Sequence, residues 1–335
     1  MHSRKLGSFS VSALGLGCMN YSMGYGPRPE ENTIKKLLKG ALDQGYTLFD
    51  TAAMYGMGHS ETMIGKYLSS HRSEFTLASK CGIFKNKEGK TEINGHPDVL
   101  QKTCEDSLSR LKTDVIDLYY LHRIDPSVPV EESVGALSRL VEQGKIKGIG
   151  LSEVSSDSLR RAHKVHPIMA LQSEYSLWSR TPERKVLATC RDLGVTFVAF
   201  SPLGRQFLTG KSLDTNTLDK VTDYENFRAT IARPRFEPEN FNKNKKLLIP
   251  FAKIAKQNNC TMAQLALAWL LAQDENIIPI PGTSNIKNME ENAIAGDLKL
   301  SAETVASLDE LINDETVSGA RYTDALMSSI DSEKD

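Results

Sequence analysis

Eight short apolar runs, at residues 14–18, 46–49, 75–79, 115–121, 146–151, 168–172, 195–200 and 277–280, recur along the chain. Helix-sized stretches such as 97–111, 130–143, 157–165, 183–193 and 261–272 separate most of them. Between Glu30 and Gly45, the residues Ile34, Leu37, Leu38, Ala41 and Leu42 fall at helical spacing, and Gly45 supplies the left-handed position that ends helices. The same order of helix, glycine and strand returns at Gly144 and Gly194. Such alternation predicts a parallel sheet with crossover helices, and eight units predict a closed (β/α)8 TIM barrel. The expected organisation is one barrel domain over residues 1–312, long loops after its third and seventh strands, and a C-terminal loop and polar tail over 313–335.

A doubly wound sheet shares this alternation, and its nucleotide-binding form carries Gly-x-Gly-x-x-Gly after a strand. The pairs Gly15/Gly17, Gly24/Gly26, Gly56/Gly58 and Gly148/Gly150 have Asn20, Pro29, Glu61 and Glu153 where the third glycine should stand. A dinucleotide, if bound, must be held another way.

A chain of 335 residues is within reach of one such barrel. Lysine and arginine number 41 against 42 aspartates and glutamates, a balance with no overall pull toward nucleic acid or anionic membrane. The five cysteines are scattered and never form Cys-x-x-Cys, which argues against a disulfide framework and a zinc site and suits a reducing cytosol. The longest apolar run, 265–272, is too short to span a bilayer, and the amino terminus reads as a mature cytoplasmic start. No metal is expected, because His163 and His166 flank a helix end without partners and no His-x-His occurs. Serine hydrolysis lacks its Gly-x-Ser-x-Gly elbow, and Cys81 reads as a packed thiol.

Three irregular segments lie outside the repeat: 82–96, about 207–244, and the tail from 313. The middle one, with Arg233, Pro234, Arg235, Phe236 and Pro238, suits a lid or partly ordered flap over a site. The tail is polar after Met327 and is expected to fray.

In a barrel the working face lies at the carboxyl ends of the strands. The second strand ends in Asp50 with Tyr55 in the following loop, the third ends in Lys80, and the fourth runs into His122. Singly, each has a structural reading as a turn residue, a rim aromatic, a solvated loop end or a hydrogen-bonded core histidine. Together they form a set, because charges that close apolar strands are costly to bury unless paired, and Asp50 with Lys80 is a natural ion pair. A tyrosine hydroxyl is a poor acid near neutrality unless a cation lowers its pKa, and Lys80 would be that cation. Asp50 would balance the ammonium, and His122 could orient a substrate oxygen or help relay the proton. Such a phenol suits protonation of the alkoxide formed when a carbonyl accepts hydride, and the hydride itself needs a nicotinamide.

The chain resembles the aldo-keto reductase family over nearly its whole length. The matching motifs are Asp50-Thr51-Ala52-Ala53-Met54-Tyr55-Gly56 with Ser60-Glu61 and Gly65 beyond, Leu77-Ala78-Ser79-Lys80, Ser107-Leu108-Ser109-Arg110-Leu111, and Asp114-Val115-Ile116-Asp117-Leu118-Tyr119-Tyr120-Leu121-His122. Gly150-Leu151-Ser152, Phe200-Ser201-Pro202-Leu203-Gly204 and Ile280-Pro281-Gly282-Thr283 follow. Its nearest flavour is the group with Leu-Ser-Glu after the fifth strand and Ser-Pro-Leu-Gly-Arg after the seventh.

The resemblance implies an oxidoreductase that reduces an aldehyde or ketone, with Asp50, Tyr55, Lys80 and His122 as catalytic tetrad, Tyr55 as proton donor and NADPH as usual cofactor. It implies that Ser152 and Gln172 hold the carboxamide, that Phe200 stacks on the ring where relatives use Tyr, and that Ser201, Pro202, Leu203, Gly204, Arg205 and Gly210 cradle the pyrophosphate. Glu153 replaces an Asn beside that serine. Gly282, Thr283, Ser284, Lys287, Glu291 and Asn292 would take the adenosine end, where a helix start favours phosphate. Asn285 and Asn288 stand where relatives often carry Arg, so Lys287 is the one cation in that window and NADH remains possible. Tyr21, Met23, Met54, Ile83, Arg123 and Trp178 are the expected lining of a pocket for a small-molecule carbonyl. The alternative is a regulatory subunit like the channel β subunits of this fold, binding NADPH with slow turnover. Carbonyl identity and oligomeric state stay open.

Overall fold

The structure is a computed structural model that describes residues 1–85, 88, 90–211 and 227–335. Its main sheet has eight parallel strands: β3 (Leu16–Gly17), β4 (Leu48–Asp50), β5 (Thr76–Cys81), β8 (Leu118–Leu121), β9 (Ile149–Ser152), β10 (Ile168–Glu174), β11 (Thr196–Phe200) and β12 (Ile277–Pro279). Each lies within or against one of the eight apolar runs. The first and last strands meet through Gly15 N to Pro279 O at 3.0 Å, Gly17 N to Pro281 O at 3.2 Å and a bridge from Gly17 to Gly282, so the sheet curls into a barrel. A Cβ at Gly17 would stand 2.8 Å from the Ile280 carbonyl oxygen, so the seam requires glycine there.

Between the strands run α1 (Glu31–Asp43), α2 (His59–Leu68), α3 (Pro97–Leu111), α4 (Val130–Glu142), α5 (Ser156–Val165) and α6 (Val186–Leu193). Then come α7 (Arg233–Phe236), α8 (Pro238–Lys245), α9 (Leu248–Gln257), α10 (Met262–Gln273), α11 (Ile286–Ile294), α12 (Ala302–Leu311) and α13 (Asp324–Met327). Helix α1 buries Ile34, Leu37, Leu38 and Ala41, the face read from its spacing, and Gly45 follows at φ +82°. Helix α10 opens with a reciprocal capping box between Thr261 and Gln264. The larger core lies between the strands and these helices.

A second core fills the barrel. Leu48, Ala78, Leu118, Tyr120, Ala170, Val198 and Ile278 point inward from their strands, and Leu6 and Val11 join them from an antiparallel hairpin, β1 (Ser3–Leu6) and β2 (Phe9–Ser12). Apolar patterning over the first twelve residues did not reveal this plug. Arg4 anchors it by donating to the carbonyl oxygens of Leu271, Asp274 and Ile277 at 2.5–2.6 Å.

The irregular segments depart from expectation in two places. The segment after β5 folds as a second hairpin, β6 (Ile83–Lys85) with β7 (Thr91–Ile93). The tail does not fray: Ser155 donates to Asp331 from its backbone N at 2.8 Å and its hydroxyl at 2.9 Å, and Ser156 N reaches the Asp335 carboxylate at 3.0 Å. Its polar residues are the docking groups, because the barrel presents donors and carboxylates to meet them. Of the expected flap over 207–244, residues 212–226 lie outside the described residues, and the remainder includes α7 and α8. Among the described residues, no helix is long and apolar enough to cross a membrane.

Candidate active site

Side chains alternate along a strand, so a residue two places beyond an inward apolar residue also faces the barrel axis. Leu48 is followed by Asp50, Ala78 by Lys80, Tyr120 by His122, Gly150 by Ser152, Ala170 by Gln172 and Val198 by Phe200. This period of two delivers six polar or aromatic side chains to the carboxyl end of the barrel. Tyr55 joins them from the loop after β4. Lys80 Nζ is bonded to Asp50 Oδ1, and it donates to Thr51 O at 2.9 Å and to the Tyr55 hydroxyl at 3.3 Å. The Tyr55 and His122 rings meet edge to face with centroids 5.9 Å apart. All four members of the expected tetrad therefore converge.

Their electrostatics refine the expectation of a tuned phenol. Burial pushes the Tyr55 phenol above its ordinary pKa, and Lys80 offsets only part of that rise. The hydroxyl thus stays protonated near neutrality. Burial opposes the charge on Lys80, but the Asp50 carboxylate and Tyr55 outweigh it and hold the ammonium above its usual range. Burial, then Arg123 and Lys80, drive His122 well below the ordinary histidine value. That leaves a neutral imidazole able to orient an oxygen but unsuited to carrying a relayed proton.

Gln172 Nε2 donates to Asp50 Oδ2 at 2.7 Å, and a carboxylate can only accept, so the amide nitrogen must face it. Its carbonyl oxygen is left as an acceptor. Ser152 Oγ accepts from Arg123 Nη1 at 3.0 Å, which leaves its hydroxyl hydrogen to donate. One free donor beside one free acceptor is the complement of a primary carboxamide. Phe200 is part-exposed at the same rim.

Glu153, at φ +55°, turns away from this pair into a buried ion cluster. Arg321 from the tail bonds both of its oxygens, and Ser332 Oγ donates to it at 2.7 Å. Arg205 does not line an open phosphate cradle: it is buried, paired with Glu174 at 2.6 Å, and lies 4.9 Å over the Tyr322 ring. A buried Glu174 needs a cation, and Arg205 meets that demand. Sequence reasoning missed Glu174, Arg321 and Tyr322. Two carboxylates just past inward-facing strand residues were the available signal, since each had to find a cation.

Around Arg205, Ser201 and Gly204 also adopt left-handed φ, as does Gly210. Pro202 is buried and Leu203 part-buried against the core. Across the rim, Gly282 lies in the seam, and Thr283 Oγ1 accepts from Asn285 N at 3.0 Å as α11 begins. Ser284 and Lys287 are exposed, Glu291 is part-exposed and Asn292 buried. Lys211 Nζ donates to Asn288 Oδ1 at 2.7 Å and so ties the loop after β11 to α11.

The expected substrate lining divides. Met23, Met54 and Arg123 are part-exposed on loops, and Ile83 is part-exposed at the start of β6. Tyr21 is fully buried, its hydroxyl accepting from Ser60 Oγ at 3.1 Å. Trp178 is buried against Phe207, with ring centroids 3.9 Å apart, beneath the Arg235 guanidinium. Both aromatics are therefore packed in the interior, with no open face at the rim. Among the described residues, no group of three His, Cys, Asp or Glu is arranged to hold a metal ion.

The family model for the Aldo/keto reductase family matches residues 13–313. A probable aldo-keto reductase 1 of Glycine max is 43% identical over 325 residues, covering 96% of this chain and 92% of that protein. The aldo-keto reductase yakc [NADP(+)] of Schizosaccharomyces pombe is 44% identical over 328 residues, covering 96% and 94%. Among solved structures, the glycerol dehydrogenase AKR11B4 from Gluconobacter oxydans superposes with a TM-score of 0.83 at 27% identity, covering 92% of this chain and 94% of that one. An aldo-keto reductase from Klebsiella pneumoniae in complex with NADPH gives a TM-score of 0.72 at 26% identity over 96% and 98%. Barrel, strand-end charges and whole-chain likeness agree, and this chain belongs to the aldo/keto reductase family.

Proposed function

We propose that the protein reduces an aldehyde or ketone to the alcohol with NADPH, an oxidoreductase acting on the CH–OH/carbonyl couple. The observation that carries this reading is the Lys80 ammonium, bonded at once to the Asp50 carboxylate and, at 3.3 Å, to the Tyr55 hydroxyl. NADPH, when bound, supplies the hydride. The Ser152 hydroxyl and the Gln172 carbonyl oxygen would hold its carboxamide, with Phe200 against the ring.

Tyr55, protonated at neutral pH, donates its proton to the carbonyl oxygen as negative charge develops there. Lys80 stabilises the phenolate left behind, and Asp50 keeps Lys80 charged while it does so. Neutral His122 holds the same oxygen in line with the phenol. The NADPH-bound relative from Klebsiella pneumoniae and the NADP(+)-designated relative from Schizosaccharomyces pombe support the choice of cofactor.

The test is NADPH oxidation with a panel of reactive aldehydes, run beside a binding titration of NADPH against NADH. Tyr55→Phe is expected to lower kcat by about a thousandfold, in the range of general acid catalysis, while NADPH affinity is retained. Unchanged turnover in Tyr55→Phe would overturn the mechanism.

A further inference from the structure

Three cations at the mouth of the barrel are held by buried carboxylates. Lys80 has Asp50, Arg205 has Glu174, and Arg321 has Glu153. Among the described residues, Arg123 and Arg235 have no carboxylate within ion-pair distance, but Arg235 is committed through both Nε and Nη1 to the Gly319 and Trp178 carbonyl oxygens and Ser179 Oγ. Arg123 Nη1 donates to two neutral acceptors, the His122 carbonyl at 2.6 Å and Ser152 Oγ at 3.0 Å, and its Nε and Nη2 take no partner among the described residues. The nearby anion that could have claimed it, Glu153, is saturated. Arg321 covers both carboxylate oxygens, Ser332 donates to one and Glu174 N to the other. Arg123 is part-exposed. It adjoins His122, whose ring stands against Tyr55, so its charge flanks the hydroxyl that a carbonyl must meet.

A guanidinium keeps a planar fork of donors even after one nitrogen is committed to positioning it. Ser152 and the His122 carbonyl fix that nitrogen and leave the other donors available on a preorganised arm. We infer that Arg123 is a specificity residue for an anionic carbonyl compound, an aldehyde or ketone carrying a carboxylate a few bonds from the reacting group. The inference rests on the reductase reading above. It adds a demand on the substrate, which supplies the counter-ion that the protein does not.

The experiment compares succinic semialdehyde with butanal, which share a chain length and differ in the carboxylate, as NADPH-dependent substrates of the wild type, Arg123→Met and Arg123→Lys. The wild type is expected to favour the acid. In Arg123→Met, the ratio of kcat/KM for succinic semialdehyde over butanal is expected to fall about ten- to a hundredfold, chiefly through the KM of the acid, as befits loss of charge-assisted hydrogen bonds. Arg123→Lys should fall between the two, since it keeps the charge and loses the fork. An unchanged ratio, or a loss confined to the KM for NADPH, overturns the inference.

A second measurement separates this claim from the reductase reading. Succinate is titrated into the NADP(+)-loaded protein by calorimetry and should bind the wild type about tenfold or more tightly than Arg123→Met. If the wild type reduces neither aldehyde, the reductase reading fails, and the succinate titration still decides whether Arg123 receives a carboxylate. Equal succinate binding by both proteins, or none by the wild type, sinks the role assigned to Arg123.

Discussion

Arg321 closes its guanidinium on Glu153, Nη1 lying 3.1 Å from Oε1 and Nη2 2.5 Å from Oε2, across a separation of 168 residues. Glu153 directly follows Ser152, so the contact fastens the C-terminal segment to the residue beside a candidate cofactor contact. The side chains are almost entirely buried, at 4% and 0% exposure, which makes their separation costly. Arg321→Met leaves the Glu153 charge without its main partner and is expected to destabilise the protein by ~3–5 kcal/mol, measured by denaturant unfolding.

The same pair sets a pH dependence. Burial would raise the Glu153 pKa, but Arg321 and the bonds to its carboxylate hold it at about 2, below an ordinary value of 4.5. A depressed folded pKa contributes stability that is complete above the unfolded value and is lost as pH falls toward the folded one. Wild-type stability should therefore decline between about pH 4.5 and 2 more steeply than that of Glu153→Gln, which has no group to titrate. Parallel curves in acid denaturation would show that the carboxylate contributes nothing.

Asp50 sustains the charge on Lys80, and its removal should be visible in kinetics. In Asp50→Asn, burial works on Lys80 with only Tyr55 left to oppose it, so the ammonium gives up its proton at lower pH. The alkaline limb of the reductive kcat profile is expected to move down by about one unit or more. A limb that stays in place while kcat falls would assign Asp50 to geometry alone.

The barrel and its strand ends were legible because period-two alternation is a local property: Leu48 facing inward commits Asp50 to do the same, and Ala78 commits Lys80. Pairing across the fold has no such local sign. Arg205 read as a phosphate contact because its neighbours fit a loop, while its actual partner Glu174 sits 31 residues away and Tyr322 farther still. Trp178 follows a strand as a pocket residue would, yet the ring of Phe207 and the guanidinium of Arg235 close over it. The tail looked free because its residues are polar, and polarity is what lets Arg321, Asp331 and Ser332 engage a charged rim. The N-terminal plug escaped notice because two inward side chains, Leu6 and Val11, carry it.

His122 is expected to remain neutral across physiological pH. Burial, Arg123 and Lys80 all lower its pKa from 6.5, so the folded protein resists a proton that the unfolded chain accepts. By linkage, this group makes stability fall as pH drops below about 6.5, and His122→Asn should remove that component. Its ring resonances, followed by NMR, should show no titration between about pH 6 and 8. A titration midpoint near 6.5 would contradict the neutral imidazole on which its orienting role depends.

Gly150 governs the floor beneath Lys80. Its residue pairs with Tyr120 across β8 and β9, and a Cβ there would lie 2.3 Å from Cδ1 and 2.4 Å from Cε1 of the Tyr120 ring. That ring is fully buried in the barrel interior and carries Lys80 Nζ 5.7 Å above its centroid. A rigid ring cannot yield as a flexible chain end would, so Gly150→Ala must displace Tyr120 and, with it, the support of the ammonium. Overpacking of this kind is expected to cost ~1–3 kcal/mol, and kcat should fall more than the KM for the carbonyl changes. Tyr120→Val makes room for the added methyl group. In the double variant, the Gly150→Ala penalty on unfolding should shrink well below its value in the wild type, a non-additivity expected of side chains in direct contact. Strictly additive losses would mean that the methyl group is accommodated elsewhere and that Tyr120 does not hold the floor.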